Sequence, residues 1–334
     1  MNLIKDTLTP EGICRRTFIV SGLIFFTALS KILFGCSNDT RPPPLTSRKD
    51  KLVKPAGEPT KETPDRSVQV IMEGTNISFG YFGSPIDGAT SENVFTYPEK
   101  FGEFGTDKFL EVVEQELIRI QMEGRTPILT LEPYKNDNSK NPLDEISSGT
   151  HDEHLLKLFT IITKTGAIFR PMHEMDTDQP RYPWSGKEPA SYITAWNYMY
   201  LLSKSVTGEF PIQFLWSPAG NANMMSYYPG DNYVDLVGFS LYDYPKEVET
   251  NWYGKDLDIV LEIQRKMDTI RTTKRIIIPE FGIATETPKE FFDTLERILA
   301  ELSKYPNLKS IIFFNSNETL PGYENISFRI PDEK

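Results

Sequence analysis

Two glutamates stand in matched settings. Ile168-Phe169-Arg170-Pro171-Met172-His173-Glu174-Met175 reads as a buried strand that finishes on an acid, and Arg275-Ile276-Ile277-Ile278-Pro279-Glu280-Phe281-Gly282 repeats the pattern about a hundred residues later. Facing carboxyl groups are the equipment for cleaving a glycosidic bond. One carboxylic acid protonates the leaving oxygen, and one carboxylate, roughly 5 to 5.5 Å away in a retaining enzyme, attacks the anomeric carbon. Side chains alternate along a strand, so period two predicts Arg170, Met172 and Glu174 on one face and Ile276, Ile278 and Glu280 on one face of the later strand. Arg170 is then an inward charge, which demands a carboxylate partner; its expected role is to position an acid rather than to react.

Such groups converge when parallel strands end on one face of an α/β barrel. Short β-branched or aromatic runs at 77–82, 126–131, 167–172, 212–216, 236–241, 275–279 and 309–314 read as strands. Helical apolar spacing occupies 106–123, 151–165, 189–207, 257–272 and 288–304. In the helix from Thr106, the residues Phe109, Val112, Val113, Leu117 and Ile120 form a stripe that faces a core. This alternation predicts a single (β/α)8 TIM barrel over 67–334. Seven strands are placed, and the missing one is expected between Ser84 and Phe104.

The 334 residues are long enough for one barrel plus an extension, and 39% hydrophobic content supports a large core. A net charge of −11 excludes binding to the phosphate backbone of nucleic acid, which needs a concentrated positive field. There is no glycine-rich phosphate loop. With only three histidines, of which His151 and His154 have a weak i, i+3 spacing that suits a solvated helix start better than a ligand pair, no cofactor or metal is expected. Arg15-Arg16 followed by the apolar run 17–35 reads as an export signal over residues 1–36, or as an uncleaved membrane anchor. Residues 37–66, rich in Pro, Lys, Thr and Asp, read as a solvated tether. The two cysteines, Cys14 and Cys36, both precede the barrel, so no structural disulfide is implied.

The ending Leu33-Phe34-Gly35-Cys36 resembles the lipobox of bacterial lipoproteins. That resemblance implies lipidation at Cys36 and an exported, membrane-anchored protein, periplasmic or at the cell surface. Arg15-Arg16-Thr17-Phe18-Ile19 resembles a twin-arginine signal. Farther on, Arg170 to Met175, Tyr182-Pro183-Trp184, Trp216-Ser217-Pro218, Tyr227 to Asp231 leading to Val234 to Gly238, and Ile278 to Gly282 together resemble glycoside hydrolase family 26, which includes many endo-β-1,4-mannanases. The resemblance implies that Glu174 is the general acid/base and Glu280 the nucleophile of a retaining endo-glycosidase. Its substrate would be a β-linked polysaccharide or oligosaccharide, of β-mannan type, cleaved by double displacement. It further implies that Tyr242 donates a hydrogen bond to the nucleophile and that His173 contacts sugar. Trp184, in a polar loop, is expected to form a sugar-stacking platform. Trp216 is open to core packing or sugar contact. Two departures fall at sugar-binding positions of the family. Asp176-Thr177-Asp178 follows Met175 where mannanases continue Asn-Gly-aromatic, and Phe313-Phe314-Asn315-Ser316-Asn317 lacks the clan's tryptophan. They leave open a non-catalytic carbohydrate-binding barrel that assists exopolysaccharide assembly or secretion.

Overall fold

The structure, a computed structural model, describes residues 67–134, 141–177, 181–317, 319–320 and 323–331. The expected signal or anchor over 1–36, the tether over 37–66 and the lipidation site Cys36 lie outside the described residues. Among the described residues, no helix is long and apolar enough to cross a membrane.

Eight parallel strands close into a barrel: β1 Ser78–Gly83, β2 Ser91–Phe95, β3 Thr126–Leu131, β4 Ile168–Pro171, β5 Gln213–Trp216, β6 Leu236–Asp243, β7 Ile276–Ile283 and β8 Leu308–Asn315, with β8 pairing back onto β1. A short helix, α1 Val68–Glu73, precedes β1. The crossovers carry α2 Pro98–Phe101, α3 Asp107–Met122, α4 Pro142–Ser147, α5 Asp152–Thr165, α6 Pro189–Ser203, α7 Lys246–Tyr253, α8 Ile259–Ile270 and α9 Pro288–Leu302. A hairpin of β9 Thr319–Leu320 and β10 Tyr323–Ser327 follows the barrel. This is the (β/α)8 architecture read from the sequence.

The local causes are visible in the long helices. Thr287 caps α9 by accepting from the Glu290 N–H at 3.3 Å, and Pro288 occupies the first turn, where its missing N–H costs nothing. The helix then buries Phe291, Leu295, Ile298 and Leu302 against the sheet. Each fully buried side chain of this size contributes about 1.5–3 kcal/mol relative to exposure.

The strand missing from the sequence reading is β2, within the expected gap. It carries no apolar run because its two central residues serve polar partners. Asn93 is buried, donates to the Pro279 carbonyl at 3.0 Å and accepts from Thr130 Oγ1 at 2.8 Å. Glu92, on the opposite face, pairs with Arg119 at 2.5 Å and Arg125 at 2.9 Å.

Two layers of core surround the barrel wall. Ile128, Ile168, Leu215, Leu236, Ile277 and Ile312, all from strands, form an inner floor, while a larger cluster fills the space between strands and helices. Ile276 and Ile278 belong to that outer cluster, which corrects the expectation that they share a face with Glu280. Pairing with β6 runs Gly238↔Ile277 and then Ser240↔Glu280, so two steps of β6 face three steps of β7. This is a β-bulge. Pro279, which has no N–H for a ladder, sits inside it. The extra residue reverses the alternation and turns Glu280 onto the inner face. The shared face assigned to Arg170, Met172 and Glu174 is corrected as well. β4 stops at Pro171, Met172 packs in the outer cluster, and both Met172 (φ 49°) and Glu174 (φ 51°) adopt the left-handed backbone region.

Candidate active site

Glu280 is 1% exposed and both of its oxygens are held. Arg170 Nη2 donates to Oε1 at 2.5 Å, and the Tyr242 hydroxyl donates to Oε2 at 2.8 Å. The second arm of the guanidinium donates to Thr130 Oγ1 at 3.2 Å, so Arg170 is itself aimed by β3. Burial raises the Glu280 carboxyl above its ordinary range. The Arg170 charge opposes that rise, and the Glu174 charge adds to it. The ring of Tyr242 reaches this position because residue 282 is glycine: a Cβ there would meet Tyr242 Cδ1 at 2.5 Å.

Glu174 is fully buried at the top of the barrel. Its N–H donates to the Ser217 carbonyl at 2.9 Å, and its own carbonyl accepts from Thr177 Oγ1 at 3.0 Å. A left-handed backbone at a non-glycine residue costs of order 1–3 kcal/mol and persists only where neighbours fix it. These two bonds do so here.

His173 is also fully buried. Its Nε2 lies 3.2 Å from the Tyr182 hydroxyl and 3.7 Å from Glu280 Oε1. Burial, followed by the charges of Arg170 and Arg181, lowers its pKa well below the usual value, so the ring is neutral. The exposed platform expected of Trp184 is replaced by a buried ring. Its indole N–H donates to the His173 carbonyl at 2.7 Å, and its face stacks on Tyr182 at 4.8 Å and 5°. A Trp that closes a loop over the barrel and a Trp that greets a sugar look alike in sequence; burial separates them. Trp216 resolves toward packing: it is fully buried, joins the outer core and meets Tyr228 edge-on at 4.9 Å.

The structure thus brings Arg170, His173, Glu174, Tyr242 and Glu280 together and sets Trp184 and Trp216 behind them. It also adds residues that the sequence reading passed over. Glu132 directly follows β3 and is 3% exposed. Burial and then the Glu280 charge push its carboxyl up to about 8, so it carries a proton at neutral pH. The signal was present: Leu131-Glu132-Pro133 is a third strand that finishes on an acid. Asp176, a departure expected to touch sugar, is fully buried and accepts from the backbone N–H groups of Ala219 (2.7 Å), Gly220 (3.0 Å) and Asn221 (2.7 Å). Asp178 lies outside the described residues. At the end of β8, Phe314 stacks on Phe82 at 5.0 Å, and Phe328 covers it edge-on at 5.6 Å. His151 faces Glu145 at 3.1 Å, while His154 packs against Phe104 and Phe109.

A carboxylate gripped by an arginine and a tyrosine, with a second carboxyl at the same barrel mouth, can run displacement at an acetal carbon. The sequence comparison agrees with the geometry. The model of Glycosyl hydrolase family 26 matches residues 162–294, the span from α5 to α9 that carries all five gathered side chains. Over that span the chain is similar to glycosyl hydrolase family 26. A curated relative, Mannan endo-1,4-beta-mannosidase A and B of Caldalkalibacillus mannanilyticus, is 27% identical over 168 residues, which cover 47% of this chain and 29% of that protein. The chain therefore spans under a third of that relative. Among solved structures, a Cellulomonas fimi endo-beta-1,4-mannanase double mutant superposes with a TM-score of 0.54 at 16% identity, covering 77% of this chain and 70% of that one. GH26C from a Muricauda species superposes at 0.50 and 15% identity, covering 78% and 82%. At these identities the superpositions speak for the barrel fold.

Proposed function

We propose that the barrel is a retaining endo-glycosidase that hydrolyses a β-linked polysaccharide of β-mannan type. The observation that carries this reading is the double grip on Glu280. One oxygen on Arg170 and the other on Tyr242 favour the charged form against the cost of burial and fix the carboxylate in direction, as a nucleophile requires. Glu174 is the acid that protonates the departing oxygen and, after the glycosyl-enzyme forms, the base that activates water. His173, neutral and pinned by Tyr182 and Trp184, packs beside the nucleophile. The family match supports hydrolysis, and the mannanase relatives support mannan as the polymer.

The test is reducing-sugar release from galactomannan, glucomannan, mixed-linkage β-glucan and β-xylan, with Glu174→Gln and Glu280→Gln proteins as controls and the anomer of the first product read by NMR. Release from the mannans as the β-anomer, lost in both variants, is the expected result. An inverted product refutes double displacement, and sugar binding without turnover identifies a carbohydrate-binding barrel. Export and tethering through Cys36 are part of the same reading. They are tested by lipid labelling of the full chain, which Cys36→Ser should abolish.

A further inference from the structure

The backbone of Glu174 is held by a short irregular segment that leaves β5, and that segment is itself tied down residue by residue. Ser217 to Gly220 are buried, and a buried loop must find partners for its own N–H and C=O groups. The Ser217 carbonyl accepts from the Glu174 N–H at 2.9 Å, and the Pro218 carbonyl accepts from the Ser240 N–H at 3.1 Å. Asp176 takes the N–H groups of residues 219–221, as described above, and its own carbonyl accepts from Asn221 Nδ2 at 3.1 Å. Helix α8 supplies the rest. Arg265 Nη2 donates to the Gly220 carbonyl at 2.7 Å, and Lys266 Nζ donates to the carbonyls of Ala219 at 3.0 Å and Ser240 at 2.6 Å.

Lys266 differs from the other ties because it joins two walls of the barrel mouth. Ala219 belongs to the segment that holds Glu174, whereas Ser240 is paired in register with Glu280. One ammonium therefore spans from the side that carries the acid to the strand laddered to the nucleophile. Its seat is fitted to it. Gly220 has a φ of 97°, and a Cβ there would meet Lys266 Cε at 2.6 Å, so the lysine stem lies against a residue that must be glycine for both reasons. The Nζ also stands 5.6 Å over the ring of Phe239. Burial lowers the pKa of the amine to about 8, with Arg265 adding to the fall and Glu262, Asp176 and Glu174 opposing it, so the group is a charged donor at neutral pH. Its two bonds to carbonyls are charge-assisted, the stronger kind.

We propose that Lys266 is a positioning residue for the hydrolysis: by holding the 217–221 segment to β6, it fixes where Glu174 stands relative to Glu280. The proposal rests on the reading of Glu174 as the acid. A left-handed backbone such as that of Glu174 persists only where neighbours fix it, and a displacement of about 1 Å in a reacting group costs about a hundredfold. Loss of the lysine should therefore show where a proton must be delivered and spare the reaction where none is needed. The test compares the full chain with Lys266→Met, which keeps the stem and loses the ammonium, and Lys266→Gln, which keeps an N–H donor without the charge, on phenyl and dinitrophenyl β-mannobiosides. Phenol needs a proton to depart, and dinitrophenol leaves without one. The expected result for Lys266→Met is a fall of about tenfold or more in kcat/KM on the phenyl glycoside relative to the dinitrophenyl glycoside, with a smaller fall for Lys266→Gln. The glutamine variant decides the matter if the methionine variant does not fold. Equal losses on both substrates, or no loss on either, make the lysine a packing residue and overturn the proposal. If the unsubstituted protein turns over neither glycoside, the mannanase reading fails, and hydrogen exchange at the Glu174 amide judges the tie by itself. Exchange faster by about tenfold or more in Lys266→Met upholds the positioning of Glu174 by Lys266, and unaltered exchange overturns it.

Discussion

Replacing Arg170 with methionine tests the central electrostatic argument. The side chain is fully buried, as is Glu280, and the pair is joined at 2.5 Å. Removing one partner of a buried pair leaves an uncompensated charge, at about 3–5 kcal/mol. The protein escapes most of that by binding a proton on Glu280. Because one pKa unit corresponds to about 1.36 kcal/mol, the lower figure is worth a rise of about 2 units. The acid limb of kcat/KM against pH should therefore move upward by about 2 units, with about a hundredfold loss on that limb, since activity there falls tenfold per unit. Stability should shift in the same sense. The folded pKa of Glu280 already lies above its ordinary 4.5, so this group favours folding most at low pH and loses that contribution as pH rises through the folded value; the variant widens the window upward. Reducing-sugar assays across pH and melting curves at the same pH values measure both effects. Arg170→Lys, which keeps the charge without the planar fork, should recover part of the shift. A uniform loss of rate with the acid limb unmoved would refute the reasoning and leave Arg170 as a packing residue.

Three further outcomes follow from the same geometry. Glu132, whose pKa rises from 4.5 to about 8, contributes stability that is full below about pH 4.5 and is lost by about pH 8, a span of about 5 kcal/mol at 1.36 kcal/mol per unit. Glu132→Gln should flatten the melting temperature across that window, and an unchanged slope would disprove the assignment. Gly282→Ala drives a methyl into the Tyr242 ring, so stability should fall by about 1–3 kcal/mol and kcat should fall more than KM rises as the tyrosine leaves Glu280; a crystal structure with Tyr242 unmoved would contradict it. Asp176→Asn keeps the shape but weakens three charge-assisted bonds, so hydrogen exchange at the amides of residues 219–221 should accelerate by about tenfold or more.

How much of this was legible depends on whether a residue's role leaves a periodic trace. The stripe Phe109, Val113, Leu117 and Ile120 announced its helix because all four are buried on one face. Parallel strands buried on both faces carry no phase, so Ile276-Ile277-Ile278 could say that a strand was there but not which residue looked inward. Glu280 does look inward, as the sequence suggested, but through a bulge that period-two reasoning has no means to count. β2 escaped because its inward Asn93 and outward Glu92 answer polar partners from distant strands and helices, and those partners exist only once the barrel has closed. Arg170 was the most informative residue in physical terms. An inward cation needs an acid whatever the fold, so its need was readable from one strand alone. Which acid answers it is decided 110 residues away, where the bulge around Pro279 turns Glu280 toward the guanidinium. The two features stand or fall together: a β7 without its extra residue would point Glu280 outward into the apolar layer and leave Arg170 a buried charge without a partner.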